Sequence, residues 1–308
     1  MRIGQWDVCT LEFGRFRLDG GAMFGVVPRT LWEKEAPPDE QNRIAMALRC
    51  LLLRNPEGRV VLVDCGAGDK DGEAFRTIFA LEDDGASATE LLAAHGLHPA
   101  QVTDLVLSHL HFDHAGGAVC RNAQGALALT FPAATVHVQR AQWEWAQAPS
   151  VRDRASYLKD NLEPLKEARL HLVEGEAELL PGLRVFPVHG HTPSMQLVEV
   201  DGAGGHGLVY CADLIPTAAH LPLPWVMGYD LHPLTVVEEK EALYRRVGQG
   251  SHWLVFEHDP LVAAARVDCG GRRPQVLETR PFLDGSAPRT PKGRIPTGGA
   301  VVAPQGDR

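Results

Sequence analysis

The sequence predicts an α/β domain whose strands carry their chemistry at one end. Short apolar runs bounded by turn residues alternate with stretches of helical periodicity. Several of those runs stop directly at a histidine or an aspartate, the arrangement by which a rigid scaffold presents a site. The scale agrees: 308 residues with 44% hydrophobic content suffice for a large layered domain with a substantial core.

Taken in order, Arg59 to Asp64 reads as a buried β-branched strand that opens at Gly66 and Gly68 into a tight loop. Ala45 to Leu53 is its expected hairpin partner, with Asn55-Pro56-Glu57-Gly58 as the turn. Glu73 to Leu81 and Thr89 to His95 read as helices, the second capped by Ser87. Val102 to Ser108 and Thr135 to Val138 read as strands. Arg140 to Leu165 reads as largely helical, interrupted at Pro149 and Pro164. Leu183 to Val188, Leu208 to Cys211 and Trp253 to Phe256 read as further strands, and Glu238 to Val247 as a helix. The domain is expected to fill residues 1–283. Residues 284–308, rich in Pro, Gly, Arg and Ser, are expected to form a flexible tail.

A formal charge of -9 argues against a sequence-independent grip on nucleic acid or an anionic membrane. No leader-like segment opens the chain, and no apolar run approaches the ~18 residues that cross a bilayer, so a cytoplasmic location is expected. The six cysteines at 9, 50, 65, 120, 211 and 269 never form Cys-x-x-Cys, and they read as small core residues in a reducing compartment. The helix around Trp143 and Trp145 offers apolar surface for a lid or a homodimer contact.

The chemistry concentrates in Ser108-His109-Leu110-His111-Phe112-Asp113-His114-Ala115-Gly116-Gly117. Three imidazoles and a carboxylate within six positions are costly to bury as structure but well suited to divalent metal ions. His109 and His111, two apart at a strand end, point the same way and can chelate one ion. Asp113 and His114 turn onward to face a second, and Gly116 and Gly117 let the backbone pass closely. Partners stand at other strand ends: His191 in His-Gly-His-Thr-Pro, Asp213 after Tyr210-Cys211-Ala212, and His258 after Glu257. His109, His111, His191 and Asp213 would hold one ion, and Asp113, His114, His258 and Asp213 the other. Two such ions ~3.5–4 Å apart would share a hydroxide and clamp a hydrolytic transition state. Zinc is expected, with manganese, iron or cobalt as alternatives.

From roughly residue 45 to 260 the chain resembles the metallo-β-lactamase superfamily: the Asp64 turn, His109 to His114, His191, Asp213 and His258 occur in that family's order. The resemblance implies a four-layered αββα sandwich with metals at one edge and Asp64 orienting a ligand histidine. His111 stands where flavodiiron relatives carry Glu, and Asp213 where true β-lactamases carry Cys, so the resemblance points away from both.

Within the superfamily the chain is most similar to N-acyl-homoserine lactonases that quench quorum signals, and to their organophosphate-hydrolysing relatives. Gly20-Gly21-Ala22-Met23-Phe24-Gly25-Val26-Val27-Pro28 resembles their N-terminal loop. Ala212 to His220 with Leu223 to Asp230 resembles their stretch after the bridging Asp. This implies a small lactone or ester substrate. Met23, Phe24, Trp32, Trp225 and Met227 are candidates for an apolar acyl trough, and Asp113 for the proton shuttle to the leaving group. Many of those lactonases place a substrate-binding Tyr three positions after the bridging Asp; here the position is Pro216. His220, Tyr229 and Tyr157 are the candidate replacements, and His189 reads as structural. Organophosphate or aryl-ester hydrolysis is the alternative activity. Iron-dependent sulfur dioxygenation or thioester hydrolysis on the same fold comes next.

Overall fold

The computed structural model describes residues 1–82, 87–270 and 274–283. The expected tail at 284–308 lies outside the described residues.

Two seven-stranded sheets and a small ribbon account for the strands among the described residues. The first sheet runs through β1 (Arg2–Ile3), β2 (Trp6–Asp19), β3 (Arg43–Arg54), β4 (Val60–Val63) and β5 (Asp104–Val106). After a ribbon of β6 (Val119–Arg121) and β7 (Leu127–Leu129), it continues through β8 (Thr135–Gln139) and β9 (Arg169–Val173). The second sheet is β10 (Ala177–Leu180), β11 (Leu183–Val188), β12 (Met195–Val200), β13 (Gly207–Tyr210), β14 (Gln249–Val255), β15 (Ala264–Asp268) and β16 (Gln275–Arg280), each beside the next.

Strand periodicity explains the layering. On β3 and β4, Leu51, Leu53, Val61 and Val63 join Leu197, Tyr210 and Val255 of the second sheet in one core. Their neighbours Cys50, Leu52, Val60 and Leu62 face the other way, into a core with Leu92, Ala146, Leu162 and Leu165 of the helices Ala88–Ala93, Arg140–Gln147 and Lys159–Leu165. On the far side, Val236, Leu243 and Val247 of the helix Pro233–Val247 pack against the second sheet. The layers are therefore helix, sheet, sheet, helix. Each fully buried Leu or Val in them contributes about 1.5–3 kcal/mol.

Strand direction positions the site. β4, β5, β8 and β9 are mutually parallel, as are β13 and β14. Asp64 follows β4, the histidine cluster follows β5, Asp213 follows β13 and His258 follows β14, so one edge receives them. Left-handed backbone at Asp64 (φ 54), Ser194 (φ 56) and Ala212 (φ 41) bends the chain at these exits. Such non-glycine conformations cost about 1–3 kcal/mol each and persist where the surroundings enforce them.

Several elements differ from their expected form. The 140–165 stretch splits into helices Arg140–Gln147 and Lys159–Leu165. Pro149 drives Ala148 out of the helical region (φ -145, ψ 60), and the chain then loops around Asp153, which accepts from Trp145 Nε1 at 2.8 Å and Ser150 Oγ at 2.7 Å. Pro164 is accommodated in a last helical turn rather than ending it. The helix expected at Glu238 begins earlier, at Pro233, where a missing N–H costs nothing. Ser87 does cap its helix, in a reciprocal box with Glu90.

Candidate metal centre

β5 ends at Val106, and Ser108 then anchors the chain: its N–H and Oγ donate to the two oxygens of Asp64 at 2.7 and 2.6 Å. This fixes where His109 leaves the sheet. His111 precedes a single helical turn, Phe112–Ala115, which carries Asp113 and His114. The turn lies tight on the loop after β4. A Cβ on Gly116 would stand 2.1 Å from Ala67 O, and one on Gly117 2.0 Å from Cys65 O. Only glycine permits that approach.

The seven candidate ligands come together, all buried. His109, His111, His191 and Asp213 can place one ligand atom each within 4.8 Å of one another, and so can Asp113, His114 and His258. In the first set His191 Nε2 is 3.3 Å from His111 Nδ1 and 3.1 Å from Asp213 Oδ2. In the second, His258 Nε2 is 3.3 Å from His114 Nε2 and 3.7 Å from Asp113 Oδ2. Asp213 straddles the two: Oδ2 faces His191, and Oδ1 lies 3.2 Å from His258 Nε2.

A cation fits this set. Four nitrogens at a zinc–nitrogen distance of ~2.0–2.1 Å in a tetrahedron stand about 3.3–3.4 Å apart, close to the separations of the two histidine pairs. His109 Nε2 and Asp213 Oδ1 are buried with no hydrogen-bond partner, the condition of atoms aimed at a shared positive charge. Burial, reinforced by the neighbouring histidines, holds His109 and His111 well below the usual imidazole range, leaving them neutral and able to ligate. For Asp213, burial opposes ionisation, but His191, His114 and His258 outweigh it and hold the carboxyl well below its usual range.

Around the candidate ligands stands a second set of contacts that fixes ring orientation. His258 Nδ1 donates to Ala47 O at 2.8 Å, and the Phe16 ring packs edge-on against the same imidazole. His114 Nδ1 faces Asp64 Oδ2 at 3.1 Å, the place expected for Asp64, and also Glu257 Oε2 at 2.8 Å. His191 Nδ1 meets Asp230 Oδ1 at 2.9 Å. Sequence reasoning passed over Glu257 and Asp230. Glu257 had one signal, its place beside His258; Asp230 had only its place at the end of the 223–230 stretch, with no role attached. His189 accepts the Ser194 N–H at 3.2 Å and braces the turn.

The substrate candidates divide into a wall and its surface. Met23, Phe24, Trp32 and Met227 are buried together with Phe112. Phe24 stacks between Trp32 and His220 at 5.3 and 4.7 Å. His220 is wholly enclosed, donating from Nε2 to Met23 O at 2.8 Å and accepting at Nδ1 from Thr217 Oγ1 at 2.7 Å, so it stands behind the wall. Trp225 is half-buried against the Phe24 edge, and Tyr229 is 42% exposed. Desolvation, then the Asp19 and Asp113 carboxylates, push the Tyr229 phenol up to about 12. Tyr157 is buried beside His111, its hydroxyl 2.7 Å from Thr192 Oγ1 and 3.1 Å from Gln142 Oε1. Pro216 contributes its carbonyl, which accepts the His258 N–H at 2.9 Å.

An N-acyl homoserine lactonase of Bacillus cereus is 31% identical over 174 residues, covering 53% of this chain and 62% of that protein. The chain thus matches about three-fifths of the length of such curated relatives. Among solved structures, a probable metal-dependent hydrolase from Staphylococcus aureus superposes with a TM-score of 0.81 at 27% identity, covering 91% of this chain and 98% of that one. The dizinc quorum-quenching lactonase AidC, solved in complex with a product N-hexanoyl-L-homoserine, shares the fold at a TM-score of 0.73 and 19% identity, covering 90% of this chain and 95% of that one. The family model of the metallo-beta-lactamase superfamily matches residues 49–258, a span that takes in all seven candidate ligands, and the chain belongs to that superfamily.

Proposed function

We propose that the protein is a two-metal hydrolase that opens the lactone ring of N-acyl-homoserine lactones. The observation that carries the hydrolytic reading is the place of Asp213, with one oxygen toward His191 and the other toward His258, between two sets of buried ligands. Two divalent ions held there would supply Lewis acidity and an activated water. The chain's own residues do the rest. Asp113, beside His258, carries the proton to the departing alkoxide.

The lactone reading is supported by likeness to relatives named N-acyl homoserine lactonase. It needs a donor to the substrate oxygen in place of the hydroxyl that Pro216 lacks, and elimination favours Tyr229. Of the four tyrosines, Tyr157, Tyr210 and Tyr244 have hydroxyls committed to Thr192, Arg49 O and Leu221 O. Tyr229 is the exposed one. Val26 and Val151, 88% and 85% exposed, stand on neighbouring loops: Gly25 packs on Gly228, and Arg152 donates to Gly228 O. They give the rim an apolar surface suited to an acyl chain.

The test is kcat/KM on zinc-reconstituted protein for a long-chain N-acyl-homoserine lactone beside an aryl phosphotriester. Strong preference for the lactone is expected. Turnover of the phosphotriester alone would move the assignment to organophosphate hydrolysis.

A further inference from the structure

Asp230 is buried and gives each carboxylate oxygen to a different partner. Oδ1 accepts from His191 Nδ1 at 2.9 Å, and Oδ2 accepts the Met227 N–H at 2.8 Å. His191 turns its other nitrogen to Asp213 and His111, so Nδ1 carries the proton that Asp230 receives. Met227 belongs to the 225–229 segment, which forms the wall and rim beside the centre.

That segment is tied on its other side as well. Gly228 N donates to Ala22 O at 2.7 Å, and the buried Lys240 Nζ donates to Trp225 O at 2.6 Å. Further on, Leu231 N–H donates to His191 O at 3.1 Å and His232 N–H to Gly190 O at 2.8 Å. These are backbone stitches or lie away from the imidazole. Among the described residues, the Asp230 side chain is the link that joins the ring of a candidate ligand to the backbone of the wall.

We propose that Asp230 is a positioning residue that couples the two, so that metal held by His191 orders the 225–229 wall and an ordered wall tightens the metal. Fixing the His191 ring fixes the carboxylate, which in turn holds the Met227 N–H. By linkage the effect runs equally in both directions. The proposal rests on His191 being a metal ligand, but it concerns loop order and makes no use of lactone turnover.

The experiment is amide hydrogen exchange on the full chain, metal-free and with zinc chloride added, beside a zinc titration by competition with a chelator. In the wild type, zinc should slow exchange at Met227 at least tenfold. Asp230→Asn is nearly isosteric but can satisfy only one of the two N–H donors. It should weaken zinc about 10–100-fold and abolish the zinc-dependent slowing at Met227, while Leu231 stays protected. Zinc binding that leaves Met227 exchange unchanged in the wild type would overturn the coupling alone. Equal slowing in Asp230→Asn would also overturn it. A wild-type chain that binds no zinc would overturn the centre and the coupling together. Should the variant fail to fold, the wild-type exchange measurement decides by itself.

Discussion

Glu257 Oε2 lies 2.8 Å from His114 Nδ1, with both side chains fully buried and Asp64 on the same ring nitrogen. The imidazole N–H is bonded to Asp64, and Glu257 stands beside the same nitrogen as a buried carboxylate with no hydrogen bond of its own. Burial above all, with Asp64 adding to it and His114 opposing, pushes the Glu257 carboxyl up to about 7. Its folded value is raised above the unfolded one, so the folded chain binds the extra proton between pH 4.5 and 7. Metal-free stability therefore falls as pH rises through that window, by something on the order of 3 kcal/mol. Glu257→Gln should flatten this loss in metal-free thermal melts and weaken zinc about tenfold. A variant with unaltered zinc affinity would show that Glu257 does not orient His114.

Tyr229→Phe removes the one exposed phenol at the rim. If that hydroxyl stabilises the substrate oxygen in the transition state, kcat should fall about a hundredfold with little change in KM. Zinc content should stay at the wild-type level, since the phenol is not among the ligand candidates. An unchanged kcat would return the donor role to another group.

His220 gives an acid limb to stability. Burial, then the nearby Lys240 charge, hold its imidazole down to about 3. The unfolded chain takes up a proton near pH 6.5 that the folded chain refuses until pH 3. Stability is therefore lost as pH falls through that window. His220→Gln should show a shallower decline of Tm between pH 6.5 and 4 than the wild type. An equal slope would remove His220 from the account.

Gly117→Ala places a methyl 2.0 Å from Cys65 O, against backbone that cannot swing aside. A loss of about 3 kcal/mol or more is expected from urea unfolding, together with weaker metal binding, because the turn carrying Asp113 and His114 must shift. A stability within 0.5 kcal/mol of wild type, roughly the scatter of surface substitutions, would contradict the close approach described for this turn.

How much was legible depended on whether a role is local. His109 to His114 could be read because six neighbouring positions carry the pattern. His191, Asp213 and His258 could be read because each directly follows an apolar strand. Asp230 could not, because its importance arises from a contact with a residue 39 positions earlier. The long strand β2 escaped reading for a different reason. A register shift between Glu12 and Arg15 breaks its alternation, so neither strand nor helix periodicity survives across it. Met23, Phe24, Trp32 and Met227 were read as trough-lining, yet they are buried within the wall. Apolar character alone does not separate a wall from its surface, and only the stacking of Phe24 between Trp32 and His220 does so.

Metal analysis tests most directly the proposed centre, in which the two candidate ligand sets around Asp213 would each hold one ion. Wild-type protein reconstituted with zinc and desalted should carry two zinc ions per chain, and Asp213→Ala should carry one or none with lactone hydrolysis abolished. A wild-type chain that saturates at a single ion, or an Asp213→Ala variant that keeps two and remains active, would contradict the account.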